Sequence, residues 1–369
     1  MRTTRLLLLI LAACGSIPVA VREAETCSVP VFRYALERWK PDAYKGIFIY
    51  RGEITKQDQA LLRRLEEAAQ NPEYPLNLRI RPVEVAAFSE GKLKELLKGP
   101  LPEKLPVLAI WYPEEMGKSA PLWKFALTQE SLKALTDSPK RKQLAESLIK
   151  GESIVWIFVP SGNSEKDGRA KAFIRRELDQ ALDSLAKTPF FVLSGARKKQ
   201  LTYGFPILTL SRSDPQERFF LEMLLGSESD LSEHKNDPMV FPVFGRGRLL
   251  GCLFGEYINA KNLQGAIAYL TGACSCEVKA QNPGTDLLLS AFWDRVVMGE
   301  LFANDEAPLP ELTGVMPAVP APAPDPAAKP AAIPTRSSVF TVYGVTLGSA
   351  AFVVVCASLI LTRRRKEKR

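Results

Sequence analysis

Six cysteines and a single histidine bound the chemistry open to this 369-residue chain. Cys274 and Cys276 stand one residue apart, a spacing at which two thiolates can hold a soft ion such as Cu(I) or close into a strained, oxidising disulfide. A structural use is open as well. Cys27 and the Cys274/Cys276 pair flank the segment able to build a core, and a bridge between them would close a loop of roughly 250 residues, removing about 5 kcal/mol of unfolded-chain freedom on the entropy model. Cys252 sits among Leu249, Leu250, Leu253 and Phe254 and reads as a buried free thiol. Cys14 and Cys356 fall in apolar stretches near the two ends.

Other chemistry is sparse. His234 lies in a loop with Glu228, Asp230, Glu233 and Asp237, which lacks the alternating spacing and turn glycine of an EF-hand and reads as a solvated loop. A hydrolase with a histidine base would have to use His234, and no Gly-x-Ser-x-Gly elbow stands near a strand end. Gly245-Arg246-Gly247-Arg248 lies between two strands rather than before a helix, so it reads as a hairpin turn and not as a phosphate cradle. No metal set, cofactor or catalytic constellation is expected.

The elements that must position these residues are framed by two membrane signals. Val339 to Leu361 is 23 residues without a charge, followed by Thr362 and the basic run Arg363 to Arg369. At about 1.5 Å per residue such a helix crosses the roughly 30 Å hydrocarbon core, and the basic cluster marks the cytoplasmic side. Arg2 and Arg5 followed by Leu6 to Ala13 read as a signal peptide, over 1–26. Leu11-Ala12-Ala13-Cys14 also matches a lipobox, in which Cys14 would be acylated; ordinary signal-peptidase cleavage is the other reading. The net charge of +8 does not point to nucleic acid: the tail carries +5 and the first five residues +2, leaving +1 for everything else. A Pro/Ala-rich linker at 301–337 precedes the span at 338–362 and the tail at 363–369.

Between these ends the pattern of apolar strands and amphipathic helices is β-α-β-α-β-β-α, and it occurs twice, at 27–150 and 151–300. The first pass runs through Gly46–Tyr50, Thr55–Gln70, Leu78–Val85, Glu90–Leu97, Leu105–Tyr112, Leu122–Leu127 and the helices of Gln129–Ile149. The second runs through Ser153–Val159, Lys171–Leu185, Pro206–Leu210, Gln216–Leu225, Val240–Phe244, Leu249–Phe254 and Ala260–Leu270. This order, with Pro106 and Pro242 just before the third strand of each pass, resembles two consecutive thioredoxin-like domains over Gly46–Ile149 and Ser153–Gly272. The resemblance implies an α/β fold, a cis proline at Pro106 and Pro242, and a peptide-binding edge beside each. A redox-active relative carries Cys-x-x-Cys at the start of the first helix, where the helix dipole lowers the thiol pKa. Here those positions read Arg51-Gly52-Glu53-Ile54-Thr55 and Pro160-Ser161-Gly162-Asn163, so the dithiol chemistry is absent.

The sequence therefore predicts a bacterial single-pass membrane protein with its body outside the cytoplasm and its C-terminus inside, acting as a binding or scaffold module for another protein. The alternative is a thiol oxidoreductase or metal-binding chaperone working through Cys274 and Cys276.

Overall fold

The computed structural model describes residues 29–187, 190–194, 197–274 and 278–294. The expected signal peptide with Cys14, the linker, the span and the basic tail lie outside the described residues, as do Cys27 and Cys276. Among the described residues no helix is long and apolar enough to cross a membrane.

Helix α1, Val31–Arg38, buries Val31, Phe32, Ala35 and Leu36, which repeat at the spacing of one helix face. Strand β1 (Tyr44–Tyr50) is joined by helix α2 (Lys56–Ala69) to β2 (Leu78–Glu84), and the helical crossover lets the two strands run parallel. Thr55 accepts the Asp58 N–H and starts α2; Leu61, Leu62 and Leu65 form its buried stripe. Helix α3 (Glu90–Leu97) leads to β3 (Val107–Trp111) and β4 (Trp123–Phe125), both antiparallel to their neighbours. The sheet order is β2-β1-β3-β4. Pro82 is tolerated in β2 because that strand is an edge. Helices α4 (Gln129–Thr136), started by a Thr128/Ser131 capping box, and α5 (Pro139–Ile149), started by Ser138, complete the first half.

The second half repeats the arrangement. Strand β5 (Ile154–Val159) is followed by α6 (Ser164–Ala186), a hairpin of β6 (Phe190–Ser194) and β7 (Arg197–Leu201), and β8 (Ile207–Thr209), parallel to β5. Then come α7 (Arg218–Leu225), β9 (Met239–Phe244), β10 (Arg248–Leu249), β11 (Leu253–Phe254), α8 (Ala260–Thr271) and β12 (Thr285–Asp286). The order is β12-β10-β9-β5-β8, with β11 also on β9. Every residue of β5 and β9 is buried, which explains their unbroken apolar runs: the sheet is covered on both faces. Ile154, Trp156 and Phe158 pack with α1, α6 and α8, while Val155, Ile157 and Val159 turn to the other face.

That other face is shared. One cluster joins Tyr44, Phe48, Leu108 and Ile110 of the first sheet to Ile157, Phe241 and Val243 of the second, so the boundary expected at residue 150 separates two sheets but not two cores. Helix α1, expected with the first half, packs on the second sheet instead. Its Val31 N–H donates to Gly272 O at 3.0 Å, and Trp39 meets Phe244 edge-on with ring centroids 6.4 Å apart. The physical reason is coverage: Trp156 and Phe244 need a helix there as well as α6 and α8.

Residues 285–293 form a strap across both halves. Beyond β12, Leu287 N–H donates to Gly247 O at 2.9 Å, Leu289 N–H to Asn77 Oδ1 at 2.8 Å, and Ser290 pairs with Leu76.

The proline marker holds in one half only. Leu105–Pro106 is cis and directly precedes β3. Pro242 is not cis and does not precede its strand; it lies inside β9 opposite Trp156 and is buried. Pro238 is the residue directly before β9. Pro242 is accommodated because the pairing slips by one residue between Leu249–Val243 and Leu253–Val240, leaving a bulge over 250–252 beside it.

Candidate functional site

At the helix starts that follow β1 and β5, side-chain oxygens take the backbone donors. At the start of α6, Asn163 accepts the N–H groups of Glu165 and Lys166 at 3.1 and 3.0 Å. Gly162, at φ +95°, turns the chain so that the Asp167 carboxylate reaches back over it. That carboxylate accepts from Ser161 N–H and Ser161 Oγ, each at 2.7 Å, and from Gly162 N–H at 3.0 Å. Arg212, beyond β8, donates to Pro160 O at 2.7 Å and Asp237 O at 3.3 Å, tying the end of β5 to the residue before Pro238. Burial lowers the Arg212 pKa, and the Asp167 charge opposes that shift. In the first half the Gly52 N–H is 3.3 Å from Glu84 Oε1, and Thr55 exchanges hydrogen bonds with Asp58. Each helix start is thus closed by a carboxylate of its own chain. Such groups orient and accept; they do not attack a disulfide sulfur.

The cysteines are separated. Cys252 is a free thiol at the bulge, pushed well above its ordinary pKa by burial and then by the nearby Glu228. A thiol in that state is a poor nucleophile. Cys274 is buried, and its N–H donates to Val29 O at 3.0 Å. Val29–Pro30 therefore runs beside Ala273–Cys274, bringing together the two ends of the folded body that carry Cys27 and Cys276 nearby in sequence. Among the described residues no group of His, Cys, Asp and Glu is arranged to hold a metal ion. His234 stacks on Phe254 with centroids 4.1 Å apart, and its Nδ1 lies 3.3 Å from Asp237 Oδ2.

Sequence reasoning missed a charged cleft of about 640 Å³ between Asp42, Glu115, Glu228, Arg248 and Lys279. Three of its lining residues, Asp42, Arg248 and Lys279, join a network around the buried Asp286. Asp286 pairs with Lys279 and, at 3.3 Å, with Arg248; Lys279 also reaches Asp42 at 2.8 Å, and the Asp42 N–H donates to Asp286 at 2.6 Å. Burial raises the Asp286 pKa against the pull of Lys279. Asp42 stands more than 200 residues from Arg248, Lys279 and Asp286, so no local pattern announces the network; the one available signal was Gly245-Arg246-Gly247-Arg248. That stretch is the hairpin turn its position implied. Gly245 and Gly247, at φ +58° and +84°, let it press against Ala35 and Leu289, where a Cβ would collide. Its arginines act as clamps: Arg246 donates to Leu36 O at 2.7 Å at the end of α1, and Arg248 to Asn282 O at 2.9 Å before the strap.

On the cleft wall, Glu228 accepts the Cys252 N–H at 2.8 Å. Burial raises the Glu228 pKa, and the same cause lowers that of Lys118, which donates to Gly226 O and lies over the Tyr112 ring. Because the folded-state pKa of Glu228 is raised, its ionisation weakens the fold as pH climbs through that value and costs nothing extra below its unfolded pKa. Glu228→Gln keeps an oxygen for Cys252 N–H. It should therefore melt at or above the parent at pH 7, with the advantage shrinking toward roughly pH 4. A lower melting temperature at pH 7 would mean that pairing with Lys118 outweighs burial.

No family model matches the sequence, and the curated proteins contain no significant match to it.

Proposed function

We propose that the chain is a membrane-anchored, extracytoplasmic protein whose body comprises two redox-inactive thioredoxin-like units and serves as a binding or scaffold module for another protein. The twice-used strand arrangement supports the fold part of this reading: a parallel pair linked by a helix, then an antiparallel strand on the other side of the first, then a hairpin. The anchor part rests on the uncharged run Val339–Leu361 and the basic residues after it.

One observation carries the functional part. Where the dithiol chemistry of such folds would start, the Asp167 carboxylate takes the backbone donors of Ser161 and Gly162. The site spends its donors on its own chain. What remains of the fold's usual use is the edge beside the cis bond at Pro106; Pro242, buried within β9, offers no such edge.

The test is insulin reduction by the purified full chain with dithiothreitol as electron source. Turbidity should rise no faster than with dithiothreitol alone. A rate typical of thioredoxins, abolished by Cys274→Ser together with Cys276→Ser, would replace this reading with that of a thiol oxidoreductase. If those substitutions only lower the melting temperature, the cysteines are structural.

A further inference from the structure

The face of the first sheet turned away from the shared core carries a set of exposed cations. Lys45 stands opposite Arg79 on the parallel neighbour, and Ile47, two residues on, stands opposite Arg81. Ile47 also faces Ala109, which faces Lys124. Strand alternation therefore projects Lys45, Arg79, Arg81 and Lys124 from one face, and all four are exposed. Apolar residues of the same face, Ile47, Ile49, Val83, Ala109 and Trp111, are covered together with Leu97 of α3, so the cations rim this small core. Among the described residues none of the four enters an ion pair, whereas Lys279 and Arg248 elsewhere are fully engaged. Like charges directly opposite in a ladder are destabilising, so the Lys45–Arg79 pair weakens the sheet that holds it.

We infer that this face docks on an anionic lipid bilayer. The inference rests on the membrane-anchored reading above. Charge complementarity calls for an anionic partner, and the geometry favours a surface over a pocket ligand. The cations stand on β2, β1 and β4 of a four-stranded sheet about 14 Å from edge to edge, on a face and not in a cleft. Lipid headgroups present phosphates over such a span. The Pro/Ala-rich linker before the apolar run has the length to let the body tilt onto the bilayer that anchors it.

The full chain would be placed in nanodiscs of phosphatidylcholine alone or with a third phosphatidylglycerol, and acylation of Lys124 by an amine-reactive reagent followed by mass spectrometry. Lys124 should be protected only in the anionic discs, and high salt should remove the protection. Lys45→Gln/Arg79→Gln/Arg81→Gln should lower the docked-to-free ratio on the order of a hundredfold, about fivefold per charge near an anionic surface. Circular dichroism of that variant should match the parent, since all three side chains are exposed. Equal Lys124 reactivity in both discs overturns the inference while leaving the anchor reading intact. A chain that stays soluble and apart from the discs defeats the anchor reading, and co-sedimentation with phosphatidylglycerol vesicles then decides the patch by itself. Salt-sensitive protection by polyglutamate but not by phosphatidylglycerol overturns it in favour of an acidic polypeptide.

Discussion

A chain ended at Asn282 should fail to hold a folded body, whereas one ended at Asp294 should melt cooperatively. The twelve residues between them bury Leu287, Leu288, Leu289 and Trp293 almost completely. At about 1.5–3 kcal/mol for each large apolar side chain, their removal is comparable with the whole stability of an ordinary domain, about 5–15 kcal/mol. The loss is compounded by polar groups left behind. Arg141 donates to Leu288 O at 3.0 Å from a fully buried position, and the Asn77 side chain donates to Leu287 O at 3.1 Å. Limited proteolysis and a thermal melt of the two truncations would settle the matter. A cooperative melt for the shorter chain within a few degrees of the longer one would show that the strap is an ornament.

Glu217→Ala should lower stability by about 2–4 kcal/mol, the cost of two donors left without their buried, charged acceptor, and the melting temperature on the order of 10 °C. Glu217 is buried at the start of α5, where its carboxylate accepts the Lys140 N–H at 2.7 Å and the hydroxyl of the capping residue Ser138. Its charge also supports Arg141, whose pKa burial brings down to about 10. Removing it leaves a buried guanidinium without its main counter-charge and a helix start without its acceptor. Glu217→Gln keeps an acceptor and loses only the charge, so it should cost less; its own loss reads the charge's support of Arg141, and the difference between the two variants reads the capping. Equal losses would assign the whole effect to the charge.

Much of the fold was legible because it is written locally. The unbroken apolar runs Ser153–Val159 and Val240–Phe244 announced strands, and the spacing of Leu61, Leu62 and Leu65 announced the helix of Thr55–Gln70. The misses have physical causes. Helix α6 begins at Ser164, not near Lys171, because its first two turns are polar and carry Gly168; Asn163 starts it without help from apolar periodicity. The hairpin β6–β7 was not foreseen between the second helix and the next strand. Pro242 looked like a strand-opening proline because a bulge, which only the pairing partner reveals, is what admits it. Of the candidate site, the absence of dithiols was plain from residue types alone. The Asp167 cradle and the Asp42/Lys279/Asp286 network were not, since each depends on which distant or looped-back groups the tertiary fold brings within hydrogen-bond reach.

The seating of α1 has a consequence for the order in which the body can assemble. Synthesised amino end first, the chain exposes Val31, Phe32 and Trp39 long before their partners exist: β5 follows by more than a hundred residues, and the turn and helix that seat α1, Gly245–Gly247 and α8, by more than two hundred. Closing so long a separation is slow, and contacts of this kind reward the chain only at the end. Helix α1 thus cannot find its seat while the rest is still being made, and the inner face of the first sheet, which shares its core with Ile157, Phe241 and Val243, waits as well. The apolar stripe of the first helix needs shelter until residue 274 has arrived.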